Sequence, residues 1–145
     1  MNYKVDMKCK GYKRVFNAFD AIAETTKRTE KQQILRDLHE DAEAAAGHVF
    51  WLAMGDVRFY LTSKTAPTRK SDTKYKTTDE AVRAFCAVAK QLVDGKLSGN
   101  SAKTAMGVVF ANIRVSHDIH KHTLKYLSAV LDKKLRLGVD TTVTE

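Results

Sequence analysis

The chain contains few residues that interrupt helices and few that mark reactive sites. Its 145 residues include one proline, Pro67, seven glycines and two cysteines. With so few helix breakers, long stretches can be helical. The cysteines, Cys9 and Cys86, lie far apart and follow no metal-binding spacing. That excludes a cysteine-rich zinc module and indicates a reducing, cytoplasmic compartment.

Signals for membranes, cofactors and catalysis are absent as well. No run of 18 apolar residues occurs, and the lysine-rich N-terminus has no apolar segment of the kind found in signal peptides. No Ser-His-Asp or Cys-His arrangement, P-loop or dinucleotide fingerprint is found. We therefore expect no membrane partner, no cofactor and no catalytic residue.

Positive charge is the main property that the chain does have. Lysine and arginine number 25 against 17 acidic residues, a formal net charge of +8. Residues 1–14, 62–76 and 121–138 each hold five basic groups and one acidic group, whereas residues 24–56 have a net charge of −3. A segregated basic surplus favours a polyanionic partner.

Apolar residues at helical spacing predict an all-α fold, a single compact domain of six or seven helices. Capping-box patterns open helices at Thr29 with Gln32 and at Thr77 with Glu80, and Asp118 is the predicted N-cap of the last helix. The predicted segments are 13–24, 29–38, 41–54, 77–95, 102–113 and 118–135, with a short piece at 56–61. Residues 1–12 are predicted to be an irregular basic lead-in, 13–139 the helical domain and 140–145 a tail.

Two basic turns contain glycine. The loop Lys96-Leu97-Ser98-Gly99-Asn100-Ser101-Ala102 joins two helical segments, and Lys133-Lys134-Leu135-Arg136-Leu137-Gly138-Val139 follows the last helix. Glycine lets a backbone come close to a partner, and N–H groups at a helix start can bind phosphate. The alternatives are an ordinary turn with Gly99 left-handed and a basic helix end that suits its own dipole. The polar loop 62–76, with Arg69 and Lys70, is either a solvated connection or a further contact.

Histidines near the last helix raise the question of a metal. His117, Asp118, His120 and His122 are close in sequence, and His117 and His120 would share a helical face. Because no matched ligand pair is found elsewhere and Asp118 is needed as an N-cap, we interpret the group as a polar helix start and predict no metal site.

Three stretches carry a resemblance to a known family. They are 15–23 with 31–35, the loop Lys96–Ala102, and the closing segment 131–139 with its Lys-Leu-Arg-Leu-Gly pattern. Together they resemble the N-terminal DNA-binding domain of ATP-dependent DNA ligases, especially the phage enzymes, over roughly residues 13–139.

The resemblance implies an all-helical domain that docks on the minor groove of duplex DNA, contacts backbone rather than sequence, and helps a separate ligase core encircle the duplex. The partners would be double-stranded DNA, nicked DNA included, and a ligase catalytic core, and the domain would be a monomer in the cytoplasm of an infected bacterium. The predicted DNA contacts are Lys96, Ser98, Gly99, Asn100, Lys133, Lys134, Arg136 and Gly138, to which Arg69 and Lys70 are added.

One departure from the family bears on catalysis. A ligase needs a lysine in a Lys-x-Asp-Gly motif to form the covalent AMP adduct. The single Asp-Gly here is Asp94-Gly95, with Leu92 where the lysine should stand. We also expect no adenylation domain after Glu145. We therefore expect a domain that is not an enzyme. The alternatives are a free-standing adaptor, bound to DNA or to an acidic protein without a ligase core, and a small hydrolase that uses the histidines.

Overall fold

All regular secondary structure is α-helical in the computed structural model, which describes residues 11–54, 59, 61–64 and 70–135. The helices of this part of the chain are α1 (Tyr12–Glu24), α2 (Arg28–Met54), α3 (Thr78–Val93), α4 (Gly99–Val115) and α5 (Thr123–Leu131). The all-α prediction is confirmed. Within the described residues there are five helices, so the predicted number of six or seven is not confirmed. The segments predicted at 29–38 and 41–54 both lie in α2, which has a kink near the boundary predicted between them. Most of 1–12 and of 56–61, and all of 136–145, lie outside the described residues.

Helices α1 and α2 form one layer of the molecule. Val15, Phe16 and Phe19 of α1 are buried, as their helical spacing predicted. Helix α2 is interrupted at Ala42, where φ is −148° and ψ is 50°. Gly11, just before α1, has a φ of +102°, and a Cβ there would lie 3.3 Å from Cβ of Ala42. Glycine is therefore favoured here, because it adopts the left-handed backbone without strain and lets α1 and α2 approach closely.

The predicted helix starts agree with the structure in one case of three. Thr77 caps α3, because its Oγ1 accepts a hydrogen bond from the Glu80 N–H at 3.1 Å. The Thr29 prediction is wrong, since α2 begins one residue earlier, at Arg28. The hydroxyl of Thr25 accepts from the Lys27 N–H at 3.3 Å instead. Local side-chain chemistry alone could not separate two threonines four residues apart.

The Asp118 prediction is also wrong. Helix α5 begins at Thr123, and Asp118 is exposed in the non-helical connection 116–122. This connection is held against the start of α3, because the His120 N–H donates to Thr78 Oγ1 at 2.9 Å. Thr123 Oγ1 donates to the His120 carbonyl at 2.6 Å. Tertiary docking therefore overrides the local capping signal.

Aromatic residues from several helices pack in the core. The rings of Phe85 in α3 and Phe110 in α4 stack at a centroid distance of 6.4 Å. Phe19 of α1 meets Tyr126 of α5 edge-to-face at 5.2 Å. These contacts join α1, α3, α4 and α5 around one core and leave the α3–α4 loop at the surface. Among the described residues, no helix has both the length and the apolar character that crossing a bilayer requires.

Candidate functional site

The loop between α3 and α4 begins with a hydrogen-bonded helix stop. Gly95 has a φ of +74°, and its N–H donates to the Leu92 carbonyl at 3.2 Å. The Lys96 N–H donates to the Gln91 carbonyl at 2.9 Å. This pair of bonds is a Schellman motif, with glycine at the left-handed position. Lys96 follows immediately, and its side chain is exposed.

The start of α4 is open to solvent. Ser98 is the N-cap residue, but its hydroxyl makes no capping hydrogen bond. Gly99 has a φ of +57°, and nothing lies within 4 Å of the place where a Cβ would be. The backbone N–H groups of Gly99, Asn100 and Ser101 donate no hydrogen bond within the described part of the chain, and all three residues are exposed. Such a terminus presents partial positive charge and free donors, the features that bind phosphate.

The end of α5 repeats the helix stop with different residues. The Lys133 N–H donates to the Val130 carbonyl at 3.2 Å, and the Lys134 N–H donates to the Ala129 carbonyl at 2.8 Å. Lys133 takes the left-handed position, with a φ of 58°. The helix therefore does not continue to Gly138, the glycine that the sequence associated with this turn, which lies outside the described residues.

Side chains anchor this second turn to the rest of the molecule. The Lys133 ammonium donates to the Leu52 carbonyl and lies 4.9 Å from the centre of the Phe59 ring. The Asp132 carboxylate accepts from the Ser63 N–H at 2.6 Å and also from the Ser63 hydroxyl. A phosphate contact by Lys133 would have to compete with these contacts. Lys134 is exposed.

The structure brings together some of the predicted DNA contacts. Lys96 and Ser98 lie in the exposed loop before α4, Gly99 and Asn100 lie in the exposed first turn of α4, and Lys133 and Lys134 form one turn. Lys70 is exposed in a separate segment, which is fixed where the Ser71 hydroxyl donates to Asn112. Arg69, Arg136 and Gly138 lie outside the described residues.

The charge of these surfaces is not balanced by acidic neighbours. Within the described part of the chain, Lys70, Lys96 and Lys134 form no ion pair. Residues 70–135 contain twelve basic and six acidic side chains, a net charge of +6, whereas residues 11–54 contain six basic and seven acidic ones, a net charge of −1. The basic surplus therefore belongs to the half of the molecule built from α3, α4 and α5.

A second group of functional side chains joins α1 to the start of α5. Asp20 Oδ2 lies 2.8 Å from His120 Nε2, and Asp20 Oδ1 lies 3.0 Å from His122 Nδ1. The Tyr126 hydroxyl also donates to Asp20 Oδ1. The His120 side chain is 5% exposed, and that of His122 is 39% exposed. One carboxylate thus accepts three hydrogen bonds from residues about 100 positions away in sequence.

Burial and hydrogen bonding shift the pKa values in this group. Burial raises the pKa of Asp20, but the hydrogen bonds from Tyr126 and His122 and the nearby histidines outweigh it, so the pKa is lowered overall. Burial lowers the pKa of His120 despite the attraction of Asp20. The pKa of Tyr126 is raised by burial and by its bond to Asp20. The group therefore favours an ionised Asp20 beside a neutral His120 and a neutral Tyr126.

The three ligand-type atoms of Asp20, His120 and His122 lie within 4.8 Å of one another, close enough for one metal ion. The tautomer of His120 argues against that use. Its Nδ1 accepts the His122 backbone N–H at 3.0 Å, so the ring proton lies on Nε2 and is donated to Asp20. A histidine that binds metal through Nε2 needs its proton on Nδ1, where a second donor already points. The arrangement suits a hydrogen-bonded brace between α1 and α5.

The sequence-based prediction did not include Asp20, and it grouped His120 and His122 with two residues outside this cluster. His117 and Asp118 are exposed and lie outside the cluster, and the shared helical face predicted for His117 and His120 does not exist because residues 116–122 are not helical. No local signal links Asp20 to the histidines. Only the packing of α1 against α5 creates the group.

Comparisons of the chain with models of protein families, with curated proteins and with solved structures gave no match. The likeness to ligase DNA-binding domains therefore rests on the three sequence stretches alone: 15–23 with 31–35, 96–102 and 131–139.

Proposed function

We propose that the chain is a non-catalytic, sequence-nonspecific domain that binds the backbone of duplex DNA, like the N-terminal domain of an ATP-dependent DNA ligase. It would support nick sealing by a separate ligase core, as a monomer in the cytoplasm of a phage-infected bacterium. The observation that carries this proposal is the open start of α4, where three N–H groups make no hydrogen bond within the described residues and the exposed Lys96 precedes them in the same loop.

Charge and geometry support the proposal together. The N–H groups of Gly99, Asn100 and Ser101 can bind a phosphate without reading a base. The net charge of +6 over residues 70–135 supplies the counterion release that drives nonspecific binding. The absence of a capping bond by Ser98 leaves its hydroxyl available to the same phosphate.

The first experiment measures DNA affinity over a salt series. A labelled duplex, intact or nicked, is titrated with the protein between about 50 and 200 mM salt, and binding is followed by fluorescence anisotropy. We expect affinity to fall steeply with salt and to be the same for unrelated sequences. Lys96→Ala should weaken binding about threefold to tenfold and lower the salt slope by about 1.

Arg36→Ala is the matched control, because Arg36 is exposed on the acidic helix α2 and forms no ion pair among the described residues. It removes the same charge and should change affinity less than twofold. No duplex binding at low salt, or an equal loss in the two variants, would contradict the proposed interface. Binding to an acidic protein but not to DNA would favour the adaptor alternative.

A second experiment tests the non-catalytic part of the proposal. The protein is incubated with magnesium and ATP labelled at the α-phosphate, separated by denaturing electrophoresis and examined for covalent label. We expect none, because Asp94 and Gly95 form the helix stop after α3 and Leu92 stands where a nucleotide-accepting lysine would be. Label that survives denaturation would overturn this part.

A further inference from the structure

A groove lies on the outside of the turn between α4 and α5. Its floor is apolar and contains Ile113, Ile119 and Leu124. Its rim is basic and contains Arg114, His117 and Lys121. The three rim residues are exposed, whereas Ile113 is buried. The groove therefore offers cationic groups above an apolar surface.

Among the residues that the structure describes, no carboxylate lines this groove. Asp118 belongs to the same turn, but it lines a different depression beside the start of α3, together with Asp79 and Lys13. Asp20 touches the His120 ring, yet its oxygens are occupied by His120, His122 and Tyr126. Neither of these acidic side chains therefore lines the groove, whose charged lining residues are Arg114 and Lys121.

Arg114 and Lys121 form no ion pair or side-chain hydrogen bond among the described residues. Other basic side chains are neutralised, as Arg14 is by Asp41 at 3.1 Å and Lys90 is by Asp94 at 2.6 Å. A guanidinium group and an ammonium group without an acidic neighbour are suited to phosphate, and the guanidinium can bind it through two N–H groups. The apolar floor can contact the sugar.

We propose that this groove binds a phosphate of the same DNA duplex that the loop before α4 contacts. This inference rests on the proposed function. Helix α4 has 17 residues, so its two ends are about 25 Å apart. At about 3.4 Å for each step along a strand, this distance corresponds to about seven base pairs. The two sites would hold one duplex at both ends of α4.

The test compares two double variants by anisotropy. Arg114→Ala with Lys121→Ala should weaken binding to a duplex of two helical turns about tenfold near 50 mM salt and lower the salt slope by about 0.9, the value for one phosphate. Arg28→Ala with Arg36→Ala removes two exposed charges from α2 and should change affinity less than twofold. Thermal unfolding shows whether each variant is folded. If the alanine variant is unfolded, Arg114→Gln with Lys121→Gln, which retains more of each side chain but no charge, should give the same loss.

A short hairpin separates one shared duplex from two independent sites. A stem of about five base pairs is too short to span α4. It should bind through the loop before α4, so the Arg114 and Lys121 variant should bind the hairpin within about twofold of the wild type. An equal loss on the hairpin and the long duplex would overturn the shared arrangement.

The outcomes separate this inference from the proposed function. If the wild type binds no duplex, the proposed function fails. If the wild type binds and Lys96→Ala weakens binding, but the Arg114 and Lys121 variant matches the α2 control, this inference alone fails.

Discussion

Helices α3 and α5 end in the same pattern of backbone hydrogen bonds but with different residues. At the end of α3 the left-handed position holds Gly95, and the next residue is Lys96. At the end of α5 it holds Lys133, and the next residue is Lys134. Each turn thus places an exposed lysine at the same point of the motif. The difference lies in what fixes the turn.

Glycine fixes the α3 turn through backbone freedom alone. A Cβ at Gly95 would meet nothing within 4 Å, so no neighbouring atom constrains this position, and the chain continues within four residues into the open start of α4. The α5 turn depends on side chains. A lysine at positive φ costs about 1–2 kcal/mol, which the ammonium contacts of Lys133 and the Asp132 carboxylate offset. One turn therefore suits binding, and the other fastens α5 to the chain around Leu52 and Ser63.

Removing the C-cap aspartates should expose this difference most strongly. Asp132→Ala removes two hydrogen bonds to Ser63 and should lower the free energy of unfolding by about 2 kcal/mol. Asp94→Ala at the matching position removes an exposed ion pair with Lys90 and should cost about 0.5 kcal/mol. Urea unfolding measures both. Equal losses would show that the α5 turn is not fixed by its side chains.

The next test substitutes the residue at each of the two left-handed positions, Gly95 and Lys133. Gly95→Ala should lower the free energy of unfolding by about 1 kcal/mol, through backbone strain alone. Lys133→Ala loses the contacts with Leu52 and Phe59 but keeps the strain, whereas Lys133→Gly loses the contacts and relieves the strain. Lys133→Gly should therefore be more stable than Lys133→Ala by about 1 kcal/mol, measured by urea unfolding. The reverse order would contradict the strain assigned to Lys133.

These two turns also show how far sequence alone can go. The all-helical class and the buried faces of α1 and α3 followed from helical periodicity, a local property. The stop at Gly95 was also predictable, because glycine is the common residue at that position. The left-handed Lys133 was not predictable, since nothing local marks a lysine for positive φ. Its contacts come from Leu52 and Phe59, more than 70 residues away.

The candidate sites also differ in whether their residues are neighbours in sequence or meet only in the folded protein. The Lys96 loop is continuous in sequence, so its four predicted contacts could be identified together. The brace of Asp20 with His120 and His122 spans about 100 residues and arises only when α1 packs on α5. The groove at Arg114 and Lys121 likewise depends on a turn whose residues point to two sides, and sequence does not specify those directions.

Low pH should destabilise the start of α5 but not the start of α3. Helix α3 begins with the Thr77 hydroxyl, which does not titrate, whereas α5 begins beside His120 and Asp20. The pKa of His120 is lowered in the folded protein, whereas in the unfolded chain it has the ordinary histidine value of 6.5. As the pH falls through 6.5, the unfolded chain therefore binds more protons than the folded protein, and the free energy of unfolding decreases. The lowered pKa of Asp20 adds a further loss below its ordinary value of 3.8.

The expected slope for His120 is at most about 1.4 kcal/mol per pH unit. It is measured by urea unfolding between the ordinary pKa values of the two groups. His120→Gln keeps polar atoms in the brace but cannot titrate, so its stability should depend less on pH in that interval. A variant with the slope of the wild type would rule out His120 as its origin.

The smallest expected effect is on the affinity for DNA. The two turns should contribute to it alike, except at Lys133. Lys96 and Lys134 are both exposed and follow the left-handed position, so each alanine variant should weaken duplex binding about threefold to tenfold. Lys133→Ala should weaken it less than twofold, because its ammonium is already held by the Leu52 carbonyl and the Phe59 ring. Anisotropy at low salt measures all three variants under one condition. If Lys133→Ala caused the largest loss, the ammonium would have to leave these partners when DNA binds, and the α5 turn would be a mobile contact rather than an anchor. If Lys134→Ala alone had no effect, the two turns would share a backbone motif but not a function.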